Sequence, residues 1–310
     1  MADLALLHHW TVSASLSIVS CHDIDRIWQV VFPQVAFHHP FVMHAIMGLA
    51  ALHLAHAEAD RETRRKHTID AVRHHNEALQ GFRGTINRPS DENADALFAC
   101  STLNIIYVFG VSDMEGASSS RKSRVLGAEW IPMVRGVRAV LPAVLDRVLS
   151  GPLRELISLG AWDDADPDRD TTAEDQRFRA LRTAWANSGG DDDTRVYDET
   201  LYQFRKSYLY LVRGSSADAS SENRGGGFNR AWAGPIIFLF MAPQEYLTRL
   251  HQRQPAALVI FAHFGAVLHN LKQFWFLDGW ARDIVEVVDD ILGDYWKPWT
   301  AWPREVVGLV

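Results

Sequence analysis

Fourteen histidines and two aspartate patterns are the residues of this 310-residue chain whose types could support chemistry. His8/His9, His38/His39 and His74/His75 are adjacent pairs, and adjacent side chains point in different directions on a helix and chelate poorly. His53 and His56 share one helix face and could share an ion, but no carboxylate completes a ligand set and no HExxH motif occurs. We therefore predict structural histidines and no metal site.

The aspartate patterns also have simple explanations. Aspartates alternate through residues 164–170 as in a calcium loop, but Arg169 stands where that loop needs glycine for its sharp turn. A DDxxxD pattern at 289–294 is like the one that holds magnesium in helical terpene cyclases, but no second magnesium motif accompanies it. A solvated loop and the exposed face of an amphipathic helix account for these acids, so no cofactor is predicted.

Motifs of the common enzyme classes are absent from the sequence. No GxSxG, P-loop or dinucleotide-binding glycine pattern occurs, so standard hydrolase, NTPase and dinucleotide functions have no support.

The formal net charge of −7 argues against a general attraction to nucleic acid or to an anionic membrane. The only cysteines, Cys21 and Cys100, fit no metal-ligand spacing. No secretory signal and no run of 18 apolar residues are found, so we expect an intracellular protein without a membrane span.

The apolar residues that must position any site recur with the period of an α-helix rather than with strand alternation. This pattern predicts an irregular all-α fold, in which the small residues at Ala45 and Gly48 permit close helix packing. Pro142 is expected to separate a pair of short helices, and Pro235 and Pro243 to break an apolar segment. The predicted helices cover residues 41–59, 61–79, 93–109, 128–140, 142–149, 177–187, 199–212, 243–253, 255–276 and 280–296.

Three polar stretches, near residues 113–124, 163–175 and 214–227, are predicted to be flexible or exposed loops within one domain that covers residues 1–310. Aromatic residues concentrate after the third loop, in a segment that prolines interrupt. Such a segment commonly lines either a core or an apolar pocket, and we predict a pocket in the C-terminal half. The candidate ligand-binding residues are Trp232, Phe238, Phe240, Met241, Phe261, His263, Phe264, Phe274, Trp275 and Trp280.

Long stretches of the sequence resemble the regulatory domain of fungal zinc-cluster transcription factors, in particular the branch of the sterol uptake control proteins. The N-terminal stretches are DLALLHHWTVSASLSI, IWQVVFPQVAFHHPFVMHAIMGLAALHLA, HHNEALQGFR and NADALFACSTL. The C-terminal stretches are APQEYLTRLHQRQPAALVIFAHFGAVLH, FWFLDGWARDIV and WKPWTAWP. The resemblance implies an all-helical fold, frequent dimerisation and a C-terminal hydrophobic pocket beside a switching loop, for which Gly225, Gly226 and Gly227 are the candidate match.

Two functions follow as expectations. The first is a ligand-sensing regulatory domain, in the nucleus or cytoplasm, that binds a sterol or other apolar metabolite and forms homodimers. Such factors read DNA through a six-cysteine zinc cluster, which two cysteines cannot form, so this chain is not expected to contact DNA directly. The alternative is a cytoplasmic enzyme of the cyclase or pericyclase type that folds an apolar intermediate. In that case His263, His269, Tyr246 or Trp232 could supply a proton or a hydrogen bond.

Overall fold

The computed structural model describes residues 1–19, 22–111, 121–127, 130–157, 162–169, 173–186, 190–215 and 230–309. Every regular element in these ranges is helical and none is a strand, which confirms the all-α prediction. The α-helices are α1 (Ala2–Val12), α2 (His22–Arg26), α3 (Phe32–His38), α4 (Pro40–Ala57), α5 (Arg61–Ile86), α6 (Ala94–Val111), α7 (Arg121–Val125), α8 (Trp130–Ser150), α9 (Arg154–Ile157), α10 (Ala173–Ala180), α11 (Asp191–Ser215), α12 (Arg230–Met241), α13 (Gln244–His251), α14 (Pro255–Leu268), α15 (Trp280–Leu292) and α16 (Lys297–Val306).

The chain divides into two compact units. The first unit comprises Met1–Gly116, Pro132–Ser158 and Phe274–Phe276. The second unit comprises Ala117–Ile131, Leu159–Gln273 and Leu277–Val310. The single domain and its three loops stay predictions, since residues 113–120, 170–172 and 216–227 lie outside the described residues. Within the first predicted loop, near residues 113–124, α7 already begins at Arg121.

Helices α4 and α6 form the interior of the first unit. A Cβ atom added to Gly48 of α4 would lie 3.2 Å from the backbone nitrogen of His75 in α5, so a small residue is needed for this close approach, as predicted. By length and composition α4 and α6 could each cross a membrane. However, 61% of the residues of α4 and 83% of those of α6 are buried inside the protein. The absence of a membrane span stays a prediction.

Two of the proline breaks predicted from the sequence are wrong. Pro142 lies inside the continuous helix α8, and Pro235 lies inside α12. An internal proline costs about 3 kcal/mol of helix stability because it removes one hydrogen bond and crowds the preceding turn. Val140, Val144 and Val148 are buried on both sides of the first proline, so packing along one face outweighs that cost. Helix α5 also extends further than predicted, to Ile86, and α11 begins earlier, at Asp191.

Helix α14 lies at the centre of the second unit, and every residue from 256 to 268 is buried. It packs against α11, α12, α13, α15 and α16. Because α14 is apolar on all sides, it requires neighbours on all sides, which explains why the helices of this unit surround it. The aromatic side chains of the candidate site therefore enter a closely packed interior.

The last predicted helix ends earlier than expected, because α15 stops at Leu292 and Gly293 has φ 73° and ψ −172°. This backbone region is accessible almost only to glycine and costs other residues about 1–3 kcal/mol.

We expect Gly293→Ala to lower the free energy of unfolding by about 2 kcal/mol in urea denaturation. Gly84 in α5 has open space around it, so Gly84→Ala should instead be neutral or stabilising by up to about 1 kcal/mol. Equal effects of the two substitutions would contradict this explanation.

Candidate functional site

Three phenylalanines of the predicted site lie together in the second unit. Phe238, Phe261 and Phe264 are completely buried. The Phe264 ring lies 5.6 Å from each of the other two rings, between centroids. Phe238 also packs against Phe204 at 5.4 Å and Tyr246 at 6.0 Å. These stacked, tilted and edge-to-face contacts have the geometry of a well-packed aromatic interior.

Two of the candidate proton donors, Tyr246 and His263, are also buried in the second unit. The hydroxyl of Tyr246 donates to the carbonyl of Ala257 over 3.3 Å, and burial raises the pKa of this tyrosine well above its usual value. His263 donates from Nδ1 to the carbonyl of Val259 over 2.9 Å. Burial lowers the pKa of His263 to about 4, so this imidazole is neutral near pH 7.

The more accessible members of the predicted site in this unit are Phe240 and Met241, which are half-buried near the end of α12. Met241 packs against a small buried cluster of Trp162, Tyr210 and Ile237. The Trp162 ring meets Tyr210 edge-on at 5.5 Å. A methionine beside aromatic rings at the boundary of a core can adapt to different apolar neighbours.

The other aromatic members of the prediction have different surroundings. Trp280 lies in the second unit and packs edge-on against Trp130 at 5.2 Å. Phe274 and Trp275 belong to the first unit, where the Trp275 indole donates to Ser17 Oγ over 3.0 Å. The structure therefore does not bring all the predicted residues into one described cluster.

The remaining predicted positions are peripheral or undescribed. His269 is half-buried and begins the short 3-10 segment that follows α14. The side chain of Trp232 and the residues Gly225, Gly226 and Gly227 lie outside what the structure describes. Their assignment to ligand binding and to a switching loop stays a prediction.

A buried charged cluster in the second unit was missed by the sequence analysis. The Arg205 guanidinium donates to both carboxylate oxygens of Asp175, over 2.6 and 3.1 Å, and to the carbonyl of Pro167 over 2.8 Å. Arg179 donates to the same carboxylate and the same carbonyl. Residues 163–175 were predicted to be exposed, and for Asp175 this is wrong, because two arginines neutralise the buried carboxylate.

The described part of the chain contains no group of three or more potential ligands that could hold a metal ion. Several of its histidines and aspartates instead contact other protein side chains. His9 contacts His53, and His44 contacts His74, each through ring nitrogens 2.9 Å apart. In the DDxxxD pattern, Gly293 interrupts the helix before Asp294, which pairs with Lys297 at 2.5 Å. The magnesium arrangement on one helix face is therefore not formed.

Comparisons with known proteins give consistent similarities. The profile described as "Fungal specific transcription factor domain" matches residues 5–162, about half of the chain. "Sterol uptake control protein 2" of Candida albicans is 28% identical over 164 residues, which are 53% of this chain and 22% of that protein. The protein of the same name from Saccharomyces cerevisiae is 24% identical over 306 residues, 94% of this chain and 31% of that protein. A "Zn(2)-C6 fungal-type transcription factor" of Gibberella zeae is 24% identical over 324 aligned residues, all of this chain and 62% of that protein. The chain thus spans less than two thirds of each of these relatives.

Proposed function

The chain belongs to the fungal specific transcription factor domain family, and from this premise we propose that it is the ligand-sensing regulatory region of a transcription regulator. The observation that carries the proposal is the alignment over 94% of this chain with the yeast sterol uptake control protein 2. That alignment extends well beyond the N-terminal half that the family profile matches. We propose that the regulator acts in the nucleus or cytoplasm, and that these residues work without touching DNA.

The proposed ligand is a sterol or another apolar metabolite bound in the second unit. Burial of apolar surface stabilises such a complex by about 25 cal/mol for each Å² removed from water. The buried Phe264 already packs against both Phe238 and Phe261, so a bulky ligand would enter beside the half-buried Phe240 and Met241 and displace side chains. A ligand that binds the rearranged form better would shift the population towards it, which is the physical basis of sensing.

Regulation can be tested with a reporter gene. The chain is fused to an unrelated DNA-binding domain, and the reporter is measured in yeast with normal or depleted sterol. The proposal expects sterol supply to change reporter output several-fold while the amount of fusion protein stays constant. Output that does not respond to sterol, from a fusion that binds its DNA site, would overturn the sensing function.

Ligand binding can be tested at Met241. We expect the purified chain to bind a fluorescent sterol, and Met241→Ala to weaken the Kd by about tenfold, as loss of about 1.4 kcal/mol of apolar contact would do. Leu149→Ala provides a control, since Leu149 is an exposed apolar residue of the first unit. An unchanged Kd in Met241→Ala would exclude the proposed entry region, and conversion of the sterol with time would favour an enzyme.

A further inference from the structure

A contact between two imidazole rings fastens α1 to α4 in the first unit. Nε2 of His9 lies 2.9 Å from Nδ1 of His53, and the ring centroids are 5.1 Å apart. One ring nitrogen must donate a proton and the other must accept it, so this hydrogen bond requires at least one neutral imidazole. The adjacent Trp10 is fully buried and donates to the carbonyl of Trp28, so the contact lies beside the main packing anchor of α1.

The surroundings of this pair are rich in histidine. Burial is the main cause that lowers the pKa of His9. The charges of His67 in α5 and His8 in α1 lower it further. Burial lowers the pKa of His53 to about 4, with further lowering by His9 and His56. Trp275, which faces His53 edge-on at 5.2 Å, has no titratable group. All the charges acting on the pair are therefore cations when protonated, and they oppose a second proton on it.

A second attachment of α1 is the ionic contact of Asp3 with α5. Arg73 donates to Nε2 of His74 over 2.9 Å, so the proton of neutral His74 is on Nδ1, which faces Nδ1 of His44. Burial and the charge of Arg73 lower the pKa of His74, and Asp3 opposes them in part, since its Oδ1 lies 3.5 Å from His74 Nε2 and 3.7 Å from Arg73. Because Arg73 keeps its charge in mild acid, its contact with Asp3 persists at the first turn of α1, and the pH-dependent loss of contact is expected at His9.

We propose that the His9–His53 contact makes the docking of α1 pH-sensitive, holding the helix at neutral pH and loosening it in mildly acidic medium. The sign follows from proton binding. When the helix is released, His9 becomes exposed and the pKa of each histidine moves back towards its ordinary value of about 6.5, so the pair binds more protons than in the docked state. Docking is therefore complete above about pH 6.5 and weakens as the pH falls towards 4.

Hydrogen–deuterium exchange of α1 tests the proposal on the whole chain, with rates corrected for the intrinsic effect of pH. Between about pH 7.5 and pH 5.5 we expect protection of α1 to fall by about tenfold if one histidine gains a proton on release, and further if both do. In His53→Gln, which stays neutral, this decrease should become smaller. His38→Gln is the matched control, because His38 is exposed at the end of α3, and it should behave like the wild type.

Two results would overturn the proposal. The first is equal corrected protection of α1 at the two pH values in the wild type. The second is the same decrease in His53→Gln as in the wild type. If His53→Gln does not hold α1 even at neutral pH, NMR titration of wild-type His9 and His53 decides: ordinary values near pH 6.5 contradict the proposal, and lower values support it.

Discussion

Arg205→Met should lower the free energy of unfolding of the second unit by about 3–5 kcal/mol, because it leaves a buried carboxylate without its main partner. The side chains of Arg205 and Asp175 are only 8% and 6% exposed, and they share two hydrogen bonds. Burial raises the pKa of Asp175, but hydrogen bonds from Arg205 and Arg179 outweigh burial and leave this pKa below its usual value. Arg179 remains after the substitution and is 41% exposed, so we expect the lower end of this range.

Two further variants separate the buried pair from a general loss of charge. Removing both charges in Asp175→Leu/Arg205→Met should recover some of the loss, since apolar residues can replace a buried ion pair at little cost. Arg195→Met removes an exposed partner of Asp192, the two side chains being 71% and 70% exposed, and should change stability by less than about 1 kcal/mol. Urea denaturation followed by circular dichroism measures all three. Equal effects of Arg205→Met and Arg195→Met would contradict the assigned role.

The limits of sequence reasoning are visible in this charged cluster. Arg205 and Asp175 lie thirty positions apart on different helices, and neither belongs to a motif or to a regular spacing. Helical periodicity predicts that α10 and α11 exist, but it does not give the rotation of one helix against the other that brings these side chains together. The same limit applies to the prolines, because the packing that tolerates Pro142 inside α8 depends on residues from other elements.

The histidines show what the sequence does predict. Adjacent histidines were expected to diverge, and His8 is indeed exposed while His9 turns towards α4. Local helix geometry is sufficient for that inference. The partner of His9, at position 53, follows only from the tertiary packing of α1 on α4, so the imidazole pair could not be foreseen.

The aromatic stripe of the C-terminal half was the least decisive signal, because a core and an apolar pocket require the same residue types. Phe238 illustrates the ambiguity. It was predicted as a ligand contact, and in the structure it is a fully buried ring among Phe204, Tyr246 and Phe264. Packing and ligand binding make different demands on such a ring, and one substitution can distinguish them.

Phe238→Ala should lower the free energy of unfolding by about 3–5 kcal/mol without any ligand, as expected when an aromatic ring is removed from a closely packed interior. Phe37→Ala is the matched control, since it removes the same atoms from a ring that is 66% exposed, and it should cost less than about 1 kcal/mol. Urea denaturation of the two variants and the wild type gives the comparison.

The apo stability of Phe238→Ala also bears on where a ligand would bind. If Phe238 is a packing residue, the variant loses stability, and a small apolar compound such as benzene should recover some of it by filling the new cavity, as occurs in other engineered apolar cavities. A ring that instead lines open space makes few contacts to lose, so its removal would cost less than about 1 kcal/mol and benzene would have little effect. That second outcome would contradict the close packing inferred for this region of the second unit. It would also move the proposed ligand site inward, from the half-buried Phe240 and Met241 to the buried rings themselves.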